Sequence, residues 1–154
     1  MIIDDYNVRR IQKQDINDLF KIAKASLTEK GIENIRDDLL LIGLKNACAK
    51  KLQTFDFGLF KLNTLVGYAF MDVNHVFYEK DATGLINTIY ILPEHRNEKN
   101  YMKIIDFILD FNNNLEIKKI KTTDNWTLCN DCPILLELLN KIVKKTTKVY
   151  NLER

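Results

Sequence analysis

The sequence predicts an α/β fold, a mixed central β-sheet flanked by helices, in the order β-α-α-β-β-β-α-β-α-β. Three observations carry that prediction. Apolar residues recur at helical spacing in four segments. Between them, residues 55–73 alternate at the strand period and residues 85–92 run continuously apolar with β-branched side chains. No linker and no repeat divides the 154 residues, which are enough for one sizeable core and too few for two, so a single domain over 1–154 is expected.

Taken in order, Tyr6 to Lys13 is rich in Tyr, Val and Ile and reads as a strand. Asp15 then reads as the N-cap of a helix with Ile16, Leu19, Phe20, Ala23 and Leu27 on one face, and Gly31 supplies a left-handed stop. A second helix runs from about Ile35 to Leu52, with Leu39, Ile42, Leu44 and Ala47 at apolar positions. The period then changes. Phe55, Phe57 and Leu59 alternate, Asn63-Thr64 interrupts, and Leu65 to Val73 resumes, which is a β-hairpin. Leu85 to Leu92 forms an apolar strand stopped by Pro93, and its continuity predicts burial on both faces in the middle of the sheet. The polar stretch Glu94 to Asn100 leads into a helix with Met102, Ile105, Ile108, Leu109 and Phe111 on its buried face, ended by Asn112-Asn113-Asn114. Ile117 and Ile120 mark a strand. Pro133 opens a last helix through Ile134, Leu135, Leu138, Leu139, Ile142 and Val143, and Val149, Tyr150 and Leu152 mark a closing strand.

Composition narrows the function classes. With 46% hydrophobic and 29% charged residues, wholesale disorder is excluded. No apolar run approaches the roughly 20 residues that cross a bilayer, and Asp4 and Asp5 stand where a signal peptide needs a basic start, so a cytoplasmic protein is expected. The net charge of +2 offers no strong field for a polyanion, and the lysines at 118–121 and 141–148 read as a solvated face, so nucleic-acid binding is disfavoured. Three cysteines make no disulfide framework. Abundant Ile, Lys and Asn point to an AT-rich genome, such as that of a bacterium, a phage or a parasite.

Two local matches, placed within this element order, resemble the GNAT superfamily of N-acetyltransferases over nearly the whole chain. Val8-Arg9-Arg10-Ile11-Gln12-Lys13-Gln14-Asp15-Ile16 is similar to the family's opening strand and Asp-capped helix. Leu85 to Arg96 is similar to its fourth strand and the Pro-Glu-Tyr-Arg turn beyond. The resemblance implies acetyl-CoA as co-substrate and a direct transfer to an amine, on a small molecule or a protein. Ile89, Tyr90 and Ile91 would offer backbone groups to the pantetheine arm. Arg96, Asn97, Glu98, Lys99, Asn100, Tyr101 and Met102 would surround the pyrophosphate at a helix N-terminus.

Three departures from the family pattern bear on activity. Lys99 and Tyr101 stand where two small residues let the backbone approach the pyrophosphate, so a strained turn, a Tyr101 ring in the phosphate volume and weak acetyl-CoA binding are expected. Asn97, Asn100 and the Lys99 charge offset part of that. Leu139 fills the position of the tyrosine that protonates the leaving thiolate, which leaves Tyr150 as the nearby acid. No acid lies within Leu85 to Leu92, so Glu79, Asp81 or Glu94 would serve as base through a water, with Glu94 adopted here. Slow or absent turnover with generic amines follows. The alternative is a non-catalytic interaction or structural protein on the same scaffold, for example a phage virion component or host-binding protein.

Other constellations have plainer readings. Cys129 and Cys132 flank a helix start, where a redox pair or half a zinc site competes with two ordinary thiols; Cys48, His75 and His95 are the only further soft ligands, and no metal site is expected. The aromatics Phe55, Phe57, Phe60, Tyr68, Phe70, Phe77 and Tyr78 read as core rather than as a base-stacking platform, since Lys61 alone interleaves them within the hairpin.

Overall fold

Where aromatic and β-branched residues alternate, the chain folds back and forth on itself. The computed structural model describes residues 4–49, 54–75, 80–122, 133–135, 137–138 and 149–151. In it β2 (Thr54–Lys61), β3 (Thr64–Asn74) and β4 (Thr83–Ile91) form an antiparallel meander, and β1 (Tyr6–Arg10) joins β2 antiparallel. β5 (Lys119–Thr122) pairs parallel with β4, and β6 (Val149–Asn151) parallel with β5. The mixed sheet is six-stranded, in sequence order, and β4 lies inside it as expected. α1 (Ile16–Glu29) and α2 (Asp37–Ala47) cover one face, and α3 (Glu98–Asn114) covers the other.

Alternation along β4 explains why its apolar residues face both ways. Ile86, Ile89 and Ile91 pack with Tyr101, Ile104, Ile105 and Ile108 of α3, together with Phe57, Leu59 and Met71. Tyr90 points the other way, with Tyr68, into a second cluster formed by Ile11, Leu19, Ile22, Ala23 and Leu44. Leu135 and Leu138, in the helical segment that Pro133 opens, bury against the α3-side core.

Boundaries differ from the sequence expectation for local reasons. β1 stops at Arg10 because Lys13–Asp15 forms a 3₁₀ turn. Asp15 holds the N-cap position of α1, as expected, but its side chain caps the 3₁₀ turn instead: its carboxylate accepts the Gln12 N–H at 2.8 Å and the Arg9 guanidinium at 2.8 Å. Burial opposes ionisation of Asp15, but Arg9 and the Gln12 N–H outweigh it and hold the carboxyl below its usual range. Gly31 takes φ 78° after α1, as its role as a stop requires. α2 begins at Asp37 rather than Ile35, because Asn34 is left-handed and Arg36 extended. α3 begins at Glu98, earlier than expected, since Asn97 caps it, and Glu116 rather than an asparagine takes the left-handed position behind it. The expected helix beyond residue 138, including Leu139, and the end of the last strand at Leu152 lie outside the described residues. No helix among the described residues is long and apolar enough to cross a membrane.

Candidate active site at the open edge of β4

β4 is paired unequally along its length. Thr83, Gly84, Leu85 and Ile86 face Lys119, Ile120, Lys121 and Thr122 of β5, and among the described residues the parallel pairing stops there. Thr88 to Ile91 are paired with β3 and, among the described residues, with no other strand. On the β3 side Ile86 opposes Met71 and Thr88 opposes Phe70, so Asn87 is an inserted residue, a β-bulge directly after the last described β4–β5 pair. Gly67 opposes Ile91, and a Cβ there would lie 2.9 Å from the Tyr90 carbonyl oxygen. Close approach of β3 at this end therefore requires glycine. Backbone N–H and C=O groups of a strand without a neighbour are an edge on which an extended ligand can pair.

At the C-terminal end of that edge sits an ion-pair cluster. Arg96 Nη2 reaches the two carboxylate oxygens of Glu29 at 2.7 and 2.9 Å, and Arg96 Nε donates to the Ile91 carbonyl at 2.7 Å. The guanidinium lies 5.2 Å from the Tyr90 ring centroid, and the Tyr90 hydroxyl donates to Glu29 at 3.1 Å. Burial, then the Glu29 charge, push the Tyr90 phenol well above its ordinary value. Expected beside a pyrophosphate, Arg96 instead ties the turn after β4 to the end of α1.

The start of α3 is built by three asparagine interactions. Asn97 Oδ1 accepts the Asn100 N–H at 2.8 Å, the Asn97 carbonyl accepts the Tyr101 N–H, and the buried Asn100 side chain donates to the His95 carbonyl at 2.8 Å. Glu98 and Lys99 occupy the first helical positions, whose N–H groups have no intrahelical acceptor. The strain expected of Lys99 and Tyr101 is absent. Both are helical, neither has positive φ, and Tyr101 is 1% exposed with its ring in the core against Ile104 and Ile108. A ring that serves as a core anchor of α3 leaves the face in front of the helix start to other groups. Lys99 and Lys103 extend from that end and both pair with Asp4, whose carboxyl is lowered chiefly by the Lys103 hydrogen bond.

The remaining expected residues scatter. Ile89 and Ile91 pack against α3, and Met102 half-buries beside them. Glu94 is exposed on the 3₁₀ turn Pro93–His95, away from the Glu29 cluster, and the neighbouring His95 Nδ1 is bonded to the Tyr6 hydroxyl at 2.8 Å. The Tyr150 backbone pairs with Lys121, level with Leu85, just before the strands part. Asp81 precedes β4, while Glu79, Cys129 and Cys132 lie outside the described residues. Burial, then Asp56, push the Cys48 thiol up to about 12, so it is no nucleophile at neutral pH.

Sequence reasoning missed three polar residues that the fold brings to β4. Glu29 comes from the last turn of α1, Asp72 from β3, and Asn87 from the bulge. The only local signal was a polar side chain inside an otherwise apolar strand, at Asp72 and Asn87. Nothing near Glu29 in the chain announces its partners 61 and 67 residues away.

No protein-family model matches the sequence, and comparison with curated proteins finds no match. Solved structures do match. A "possible acetyltransferase" from Clostridium difficile 630 superposes with TM-score 0.75 at 12% identity, over 98% of this chain and 97% of that one. A "predicted acetyltransferase" from Clostridium acetobutylicum, with acetyl-CoA, gives TM-score 0.71 at 21% identity, over 97% and 95%. An aminoglycoside N-acetyltransferase in complex with CoA gives TM-score 0.67 at 13% identity, over 97% and 90%. The chain has the fold of these acetyltransferases, the GNAT fold, from end to end.

Proposed function

We propose that the protein is an N-acetyltransferase that takes an acetyl group from acetyl-CoA to a primary amine. One observation carries the reading: β4 is bulged at Asn87 and has no β5 partner from there to Ile91 among the described residues, beside a helix start with unsatisfied N–H groups. The five residues Asn87 to Ile91 span about 13 Å of open backbone. That edge suits a pantetheine arm, whose amides can pair as an added strand, and the N–H groups of Glu98 and Lys99, with the Lys99 and Lys103 ammonium groups, suit the pyrophosphate. Acetyl-CoA supplies an activated acetyl thioester. This chain's residues bind it along β4 and orient it with the acyl end toward the bulge.

Tyr150 pairs with Lys121, level with Leu85 and one residue short of the last described β4–β5 pair, and we assign it the proton returned to the leaving thiolate. Glu94 remains the assigned proton acceptor, acting through water from the turn after β4. The direct mechanism needs no covalent enzyme intermediate. A thiol-release assay with acetyl-CoA and a panel of small amines tests the reading: amine-dependent release supports it, and Tyr150→Phe slowing that release by about 10² or more supports the acid. Release that no amine stimulates would refute it.

A second reading, a non-catalytic binding protein such as a phage virion or host-binding component, draws on one feature. Arg96 is held by Glu29 and Ile91, and the Asn100 N–H is capped internally by Asn97, which leaves fewer donors for a phosphate than a glycine-rich turn offers. Intact acetyl-CoA binding decides between the two.

A further inference from the structure

Three carboxylates near the sheet are each answered by an arginine: Asp15 by Arg9, Asp56 by Arg10 and Glu29 by Arg96. Asp72 is not. It is half-buried on β3, and among the described residues no Lys or Arg forms an ion pair with it. Its oxygens are held by neutral donors instead. Thr54 Oγ1 donates to Oδ1 at 3.1 Å from across the β2–β3 pair, and Asn87 Nδ2 donates to Oδ2 at 2.5 Å. The Asn87 contact exists because of the bulge: the inserted residue takes its side chain out of the α3-side stack and onto Asp72.

The carboxylate borders a pocket of about 410 Å³ between the end of α2 and β3–β4, lined by Asn46, Ala47, Thr54, Phe70, Asp72 and Asn87. Its chemistry is one fixed negative charge, amide and hydroxyl groups, an aromatic ring and a methyl. Among the described residues this partly desolvated charge has no counter-ion, which is costly, so the pocket favours a cation. A hard metal ion would want several oxygen ligands, and no group of three His, Cys, Asp or Glu occurs among the described residues. An ammonium on a short aliphatic stem fits better: the charge meets Asp72, and the stem lies on Phe70 and Ala47. Asp72 opposes Leu85, next to Ile86 where the β5 pairing ends, so the pocket opens one strand, about 5 Å, from the bulged edge of β4.

We propose that Asp72, held by Thr54 and Asn87, is the anchor for the ammonium group of the acceptor amine, and that primary aliphatic amines are the acceptor class. The assignment of this pocket to the acceptor rests on the acetyltransferase reading; the cation site itself does not. Asp72 acts here by binding and positioning: before attack the ammonium gives one proton through water to Glu94, and the second returns by way of Tyr150 to the leaving thiolate.

The test is a titration of ¹⁵N-labelled protein with n-butylammonium chloride, with sodium chloride and n-butanol as controls. Expected are saturable shifts at the Asn87 side-chain amide and the Thr54 and Phe70 amides with the ammonium alone, weakened at least tenfold in Asp72→Asn and largely restored in Asp72→Glu. Failure of Asn87 to respond, or equal affinity in Asp72→Asn, would overturn the site. Acetyl-CoA binding is measured on the same samples and should be unchanged by Asp72→Asn. If butylammonium binds at Asp72 while acetyl-CoA binds nowhere, the cation site stands and the transferase reading falls. If both bind, Asp72→Asn should raise the amine KM at least tenfold and leave kcat within about twofold.

Discussion

The two halves of β4 are packed alike and, among the described residues, paired differently. Thr83 to Ile86 are sandwiched between β3 and β5, whereas among the described residues Thr88 to Ile91 pair with β3 alone. Ile86, Ile89 and Ile91 are equally buried in the α3-side core, so side-chain packing does not distinguish the halves. What distinguishes them is backbone. The inserted Asn87, the glycine at position 67 and the arginine anchored on the Ile91 carbonyl all act on the second half. A strand segment can therefore be as well buried as its neighbours while, among the described residues, only one of its edges is paired.

The largest test of this contrast removes packing from both halves. Ile86→Ala and Ile89→Ala should each lower stability by about 3 kcal/mol in urea unfolding, because both side chains sit in the same core. A loss near zero at Ile89 would mean that the open half is not packed by α3. Next comes Gly67→Ala. Its Cβ meets backbone, the Tyr90 carbonyl oxygen, so relief requires moving β3 from β4 at the open end, at a cost of about 2 kcal/mol. A neutral Gly67→Ala would contradict the close approach.

Arg96→Met should cost less, about 1–2 kcal/mol, by leaving Glu29 without its cation and the Ile91 carbonyl without its donor. The same cluster carries a pH signature. The Tyr90 phenol is raised in the folded protein, so its stabilisation is complete below the ordinary tyrosine value of 10 and is lost as pH rises above it. Tyr90→Phe should flatten the fall in stability between about pH 10 and pH 11; an unchanged slope would place the alkaline transition elsewhere. The smallest effect concerns Cys48. With its thiol pushed up to about 12, it should label with iodoacetamide at pH 8 far more slowly than free cysteine, by roughly 10³-fold. Labelling at the free rate in a Cys129→Ser, Cys132→Ser background would show that the α2 end is open.

Much of the fold was legible because each element announces its period. The alternation of Phe55, Phe57 and Leu59 and the apolar run from Leu85 led directly to β2 and β4, and Pro93 marked the end of β4. The ends of helices were less legible. Asp15 looks like a cap for α1, but the guanidinium of Arg9 and the Gln12 N–H compete for its oxygens and win. The site was the least legible part. Tyr101 reads as an obstruction when compared with a glycine-bearing turn, yet at that point in the helix its side chain points into the core. Glu29 and Asp72 act through contacts across elements, which no local spacing encodes.

Isothermal calorimetry of the unmodified protein with acetyl-CoA, read beside backbone amide shifts, tests the central claim most directly. The open half of β4 and the start of α3 predict one site with a dissociation constant in the micromolar range, about −8 kcal/mol at 1 μM. Shifts should concentrate at Asn87 to Ile91, Glu98 and Lys99 and spare Gly84 to Ile86. Absence of binding at millimolar acetyl-CoA, or shifts confined to residues away from β4, would contradict the account.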